Sequence, residues 1–158
     1  MGREGIAIRR ARDGDEALLL ELNREVQSLH AAGEPKLFKS VVSDLAPFAA
    51  QVADAETHVL IAEVRGAPAG YGVMKVLQRP DGPFGHAATF VYVDQMAVLS
   101  AFQRHGVGTA LIEQAKALAA EAGTDQIILE VWNFNAGARD FYAAQGFTPM
   151  KHRLRLEV

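Results

Sequence analysis

The chain has 158 residues, a length that suits one domain able to bury a real core. With 49% hydrophobic and 22% charged residues, it has the composition of an ordinary soluble globular protein. It has no cysteine, which excludes disulfides, thiolate metal sites and acyl transfer through a protein thioester, and its formal charge of −3 argues against a nucleic-acid partner.

In chain order, residues 6–9 form a short first strand. Asp13 and Glu16 have the spacing of a capping box, and Leu18, Leu22, Val26 and Leu29 continue at helical spacing. That helix stops at Gly33-Glu34-Pro35. Residues 40–53 predict a second helix, which Pro47 should kink or divide. Residues 58–64 and 70–77, joined by a turn at 65–68, predict an antiparallel hairpin. Residues 79–86, with two prolines and two glycines, are a loop. A strand follows over 88–98. The period changes at Gly106: Val107, Leu111, Ala115, Leu118 and Ala122 line one face of a helix. Residues 126–132 form a fifth strand, and Asn135 begins another helix that Gly146 ends at C′. Met150, His152, Leu154 and Leu156 alternate with charged residues, so 150–157 predict a half-buried last strand. The order is β-α-α-β-β-β-α-β-α-β in one domain over 1–158, giving a mixed α/β sheet of about six to seven strands flanked by helices. No apolar run reaches the roughly 18 residues of a membrane span. The first residues lack the apolar core of a signal peptide, so a cytoplasmic location is expected.

Gly106 and Gly108 invite a physical reason, since glycine is costly within a helix. The first turn of a helix carries unpaired N–H groups and partial positive charge. Side chains there would obstruct a phosphate, and glycine removes the obstruction. A tight entry into the helix would need glycine equally.

The wider pattern decides between these. Gln103-Arg104-His105-Gly106-Val107-Gly108 resembles the Gln/Arg-x-x-Gly-x-Gly/Ala pyrophosphate loop of the GNAT N-acetyltransferase superfamily. Asn135-x-x-Ala138-x-x-Phe141-Tyr142-x-x-x-Gly146-Phe147 is similar to a second segment of that family, in the right order and separated by a strand. The resemblance implies a central twisted sheet whose fourth and fifth strands splay apart. It also implies an acetyl-CoA-dependent N-acetyltransferase that passes the acetyl group directly to a primary amine in a ternary complex. By that resemblance the diphosphate of coenzyme A lies on Gln103, Arg104, His105, Gly106, Val107, Gly108 and Thr109. The pantetheine arm pairs with the main chain of Met96, Ala97 and Val98, and Asn135 and Ala138 lie beside the cofactor. Tyr142 stands where the family often has a tyrosine that donates a proton to sulfur. A tyrosine hydroxyl, with its ordinary pKa of about 10, is protonated at neutral pH.

Asp94 is a candidate base. A carboxylate in an apolar strand is costly unless paired or used, and alternation puts it on one face with Tyr92 and Met96. A structural or counter-charge role competes, and Tyr92, Glu130 and His86 are weaker candidates. Acceptor contacts in relatives come from the first helices and the loops, which here points to His30, Phe38, Phe84 and Trp132. No histidine pair has zinc-binding helical spacing, so no metal is expected, and no Gly-x-Ser-x-Gly elbow supports a serine hydrolase. A homodimer is expected by analogy alone, with Phe84 or the last strand as contacts. Two other readings compete. A dinucleotide-binding oxidoreductase would use Glu130, 22 residues after Gly108, as a ribose ligand, but the third glycine is replaced by Leu111. A non-catalytic acyl-CoA sensor on the same fold would separate from the enzyme by turnover alone.

Overall fold

A computed structural model of the chain describes residues 5–158. In order come β1 (Ile6–Arg10), α1 (Glu16–Gly33), α2 (Ala46–Ala53), β2 (Thr57–Val64), β3 (Ala67–Arg79) and β4 (Ala88–Val98). A 3-10 turn at Ser100–Phe102 leads to α3 (Val107–Glu121), β5 (Ile127–Leu129) and α4 (Ala136–Ala144). The strands lie side by side in chain order, antiparallel up to β4 and parallel between β4 and β5.

Alternation along β2 shows how the sheet is covered. Val59 and Ile61 pack with Leu19 and Leu22 of α1, Phe48 of α2, and Tyr71 and Val73 of β3. Leu60 and Ala62, one residue out of phase, meet Val107 and Leu111 of α3 on the opposite face. Each fully buried Leu or Ile stabilises the sandwich by about 1.5–3 kcal/mol.

The mixed α/β class is as expected, but the sheet has five strands rather than six or seven. The missing strand is the last one. Residues 150–157 are exposed and make no backbone hydrogen bond among the described residues. β5 is also shorter than residues 126–132. Residues 40–45 are not helical: α2 starts at Ala46 and takes Pro47 into its first turn, where a missing N–H costs nothing. At the start of α1 the cap position belongs to Asp15 rather than Asp13. The Asp15 carboxylate does not cap the helix. It is held by the Arg9 guanidinium at 2.7 and 3.0 Å and by the Arg12 amide at 2.9 Å. Glu16 reaches back to the Gly14 amide instead of completing a box with Asp13.

Candidate active site

The connection from β4 to α3 is fixed by its own side chains. Gln103 Nε2 donates to the Val98 carbonyl at 3.3 Å, and His105 Nδ1 lies 2.9 Å from the Gln103 carbonyl. Arg104 and Gly106 both have left-handed backbone, with φ of 64° and 87°. Gly106 is the residue before the helix, and an L side chain there would cost about 1–2 kcal/mol. No side chain caps this end of α3. The first-turn amides of Val107, Gly108 and Thr109 have no carbonyl of the helix to bond. A turn of alternating handedness followed by a helix start gathers such amides into an anion-binding hollow. Val107 is buried against the sheet, so its side chain anchors the turn from behind.

Gly108 has a different reason to be glycine. A Cβ there would stand 2.9 Å from the tip of the Phe141 ring, so α4 sits directly on the first turn of α3. Gln145 Nε2 adds a hydrogen bond to Thr109 Oγ1 at 3.1 Å. The helix itself is closed at both ends by the residues of the second sequence pattern. Asn135 Oδ1 accepts from the Ala138 amide at 3.1 Å, an N-cap. At the other end the Phe147 amide donates to the Tyr142 carbonyl and the Gly146 amide to that of Ala143, a Schellman close. The contact that accompanies such a close is present: the Tyr142 and Phe147 rings meet edge-on at 5.6 Å. Phe141 and Tyr142 also pack edge-on, at 5.3 Å. The two patterns are therefore one packed unit. Burial pushes the Tyr142 hydroxyl up to about 12, and no protein group partners it among the described residues. That hydroxyl is nevertheless not sealed from solvent.

β4 carries an irregularity the sequence did not announce. Val73 pairs with Gln95 and Met74 with Val93, so Asp94 is the extra residue of a β-bulge. Alternation breaks there. Val91 and Val93 face α3, and so do Met96 and Val98 beyond the bulge. Ala97 faces α1 and α2, as does Gln95, which accepts from the Tyr71 hydroxyl at 2.8 Å. Tyr71 in turn accepts from Asn23 of α1 at 2.8 Å. The expectation that Asp94 shares a face with Met96 is thus corrected, because the bulge shifts the phase between them. Asp94 is exposed, and it and Glu130 are close enough to Tyr92 to push that hydroxyl up, after burial as the larger cause. The β4–β5 ladder ends at Val93 opposite Leu129. From Asp94 to Val98, β4 therefore has no strand on that edge among the described residues. The side chains of Met96 and Val98 are partly buried and pack against the core on the α3 side. His86 lies before β4, at the far end of that strand from Met96.

The residues suggested for an acceptor divide. His30, Phe38 and Trp132 come together: His30 and Phe38 at 5.0 Å, Phe38 and Trp132 at 5.4 Å. Burial lowers the His30 pKa, favouring the neutral ring. Phe134, which sequence reasoning passed over, stacks on Trp132 at 5.8 Å and meets His30 at 6.1 Å. Its spacing of two from Trp132 was the available signal. The cluster joins the end of α1 and the residues after it to the segment linking β5 to α4. Phe84 stands apart, fully exposed on the loop between β3 and β4. Among the described residues no group of His, Asp and Glu is arranged to hold a metal ion, and no helix is long and apolar enough to cross a membrane.

An uncapped glycine turn, a β4 edge left free where the β4–β5 ladder ends, and a helix carrying Tyr142 that docks on that turn through Phe141 are the fold elements of an acetyltransferase. The acetyltransferase (GNAT) family model matches residues 22–147, and the chain belongs to that family. A search of curated protein sequences finds no match. Among solved structures, the chain is similar to a tetramutant of the BH1408 protein from Bacillus halodurans, with 24% identity and a TM-score of 0.91 over 96% of this chain and 99% of that one. It is similar to the aminoglycoside acetyltransferase meta-AAC0020 from an uncultured soil metagenomic sample, with 19% identity and a TM-score of 0.69 over 99% and 97% of the two chains. A third likeness is to the aminoglycoside antibiotic 6'-N-acetyltransferase AAC(6')-IG from Acinetobacter haemolyticus, with 16% identity and a TM-score of 0.72 over 96% and 97%. These likenesses establish the fold.

Proposed function

We propose that the protein transfers the acetyl group of acetyl-CoA directly to a primary amine. The observation that carries this reading is the uncapped, glycine-led first turn of α3 together with the edge of β4 left free beyond Val93. Acetyl-CoA supplies an acyl group activated as a thioester. The amides of 104–109 would hold its diphosphate, since the helix start offers donors and partial positive charge at one place. The main chain of Met96 to Val98 would hold the pantetheine arm by adding it as an extra strand segment. The Asn135 side-chain oxygen accepts from the Ala138 amide in the cap, which fixes α4 and with it Tyr142. A hydroxyl raised to about 12 stays protonated across the neutral range and can supply a proton to a departing thiolate. Asp94 and Glu130 place exposed carboxylates near Tyr92, where they would attract a cationic amine and take up its proton through water. His30, Phe38, Trp132 and Phe134 would form an apolar wall beside the acceptor.

Thiol release from acetyl-CoA with a panel of amines tests the reading. Aminoglycosides belong in the panel because two structural neighbours act under that name. Tyr142→Phe should lower kcat by about a hundredfold, the low end of general-acid effects, with acetyl-CoA affinity unchanged by calorimetry. Failure to bind acetyl-CoA would overturn the assignment. Binding without turnover of any amine would leave a sensor.

A further inference from the structure

Between the sheet and α1 runs a hydrogen-bond chain that the acetyl-transfer steps leave unused. Asn23 Nδ2 donates to the Tyr71 hydroxyl at 2.8 Å, and that hydroxyl donates to Gln95 Oε1 at 2.8 Å. Tyr71 is fully buried, and burial pushes its hydroxyl up to about 12, so it keeps its proton through the neutral range. A hydroxyl has one hydrogen to give. With Asn23 donating into it, that hydrogen goes to Gln95 and fixes the carboxamide by its oxygen. The amide nitrogen keeps two N–H groups with no protein partner among the described residues, and it is not sealed from solvent. Apolar residues of the same shape could fill this space without desolvating three polar groups.

The place of Gln95 gives the open donor a use. It follows the bulge at Asp94, on the stretch of β4 whose outer edge has no strand among the described residues. Its side chain lies on the face covered by α1 and α2, opposite α3 and the glycine turn. On that face α1 continues two turns from Asn23 to His30, which meets the rings of Phe38 and Phe134. A Cβ on Gly33 would stand 2.6 Å from the Phe134 ring, so the end of α1 lies against the β5–α4 link. α1 thus spans from the sheet to that link, across the gap beyond Val93 where the ladder stops. Gln95 stands at the sheet end of the span and the four rings at the other.

We propose that Gln95 determines which amines the site takes: its amide nitrogen donates to an oxygen of the amine substrate, so amines with a hydroxyl or carbonyl oxygen near the nitrogen are preferred to plain alkylamines. The assignment rests on the acetyl-transfer reading. A carboxamide does not take up a proton at neutral pH, so its part is recognition and not base catalysis. The hold of Tyr71 matters because a free carboxamide can turn and offer its oxygen instead. A fixed donor penalises a substrate with nothing to accept it, since the N–H groups then give up water without return.

Thiol release from acetyl-CoA is measured with matched pairs, ethanolamine against ethylamine and phenylalaninol against phenethylamine, with rates referred to the neutral amine. The parent chain should favour the oxygen-bearing member by about tenfold in kcat/KM. Gln95→Glu keeps an oxygen for Tyr71 and replaces the donor by a second acceptor. It should abolish the preference while leaving acetyl-CoA affinity unchanged by calorimetry and the circular dichroism that of the parent. Gln95→Met, which removes both polar atoms, should level the pairs as well. Equal turnover within each pair by the parent chain overturns the assignment alone, as does a preference that survives Gln95→Glu. If acetyl-CoA binds and no amine of either pair is acetylated, the acetyl-transfer reading falls and this assignment with it.

Discussion

Gly108→Ala separates packing from cofactor access as the reason for the second glycine. Alanine in a helix is favoured over glycine by about 0.8–1 kcal/mol, so an open site would gain stability. Here the added methyl would meet the Phe141 ring at 2.9 Å, and that ring is itself held by α4 and Tyr142. Crowding of that kind costs about 1–3 kcal/mol. The net effect should be a loss of about 0–2 kcal/mol, or up to about 4–8 °C in Tm for a chain of this length. The sharper measurement is the double-mutant cycle by urea denaturation. In a Phe141→Ala background the methyl has room, and Gly108→Ala should turn stabilising by about 0.5–1 kcal/mol. A coupling of about 1–3 kcal/mol follows. If Gly108→Ala stabilises the native chain as much as it does the Phe141→Ala chain, the contact does not explain the glycine.

Further outcomes follow from other contacts. Asn135→Ala removes the cap of α4 and should cost about 1 kcal/mol in denaturant titration, whereas Asn135→Asp should retain most of it. The Arg9 guanidinium, hydrogen-bonded to Asp15, holds that carboxyl at about 2 against an ordinary 3.8. A depressed native value contributes stability that is full above the unfolded pKa and is lost as pH falls from about 4 to 2. Asp15→Asn should therefore lower stability at pH 7 by about 1 kcal/mol after solvent screening and flatten the acid limb of the stability curve. A variant with the parent's acid limb would remove the Arg9–Asp15 pair from that role.

Local signals were readable where chemistry is local. The Asn135 cap, the Gly146 close and the apolar stripe of α3 depend on residues within a few positions of each other, and each forms as expected. For Pro47 the sequence predicts a kink inside a helix over 40–53, whereas it stands in the first turn of a shorter helix, where a proline is favourable. Asp13 was mistaken for a cap because the competitor for the neighbouring Asp15 is Arg9, on a strand outside the helix pattern. The bulge at Asp94 depends on the partner strand: nothing in the run from Val91 to Val98 marks it. The aromatic cluster was three-quarters legible, yet which rings meet depends on how α1 and the β5–α4 link are set together. Phe84, equally aromatic, has nothing near it to meet.

The single surplus residue in β4 lets one strand supply α3 with odd-numbered side chains early and even-numbered ones late. A chain shortened by Asp94 would still read as an unbroken strand. It would keep Val91, Val93, Met96 and Val98 toward α3 by plain alternation. A strand that kept Asp94 without the bulge would instead turn Gln95 and Ala97 toward that helix, on the wrong side of the sheet.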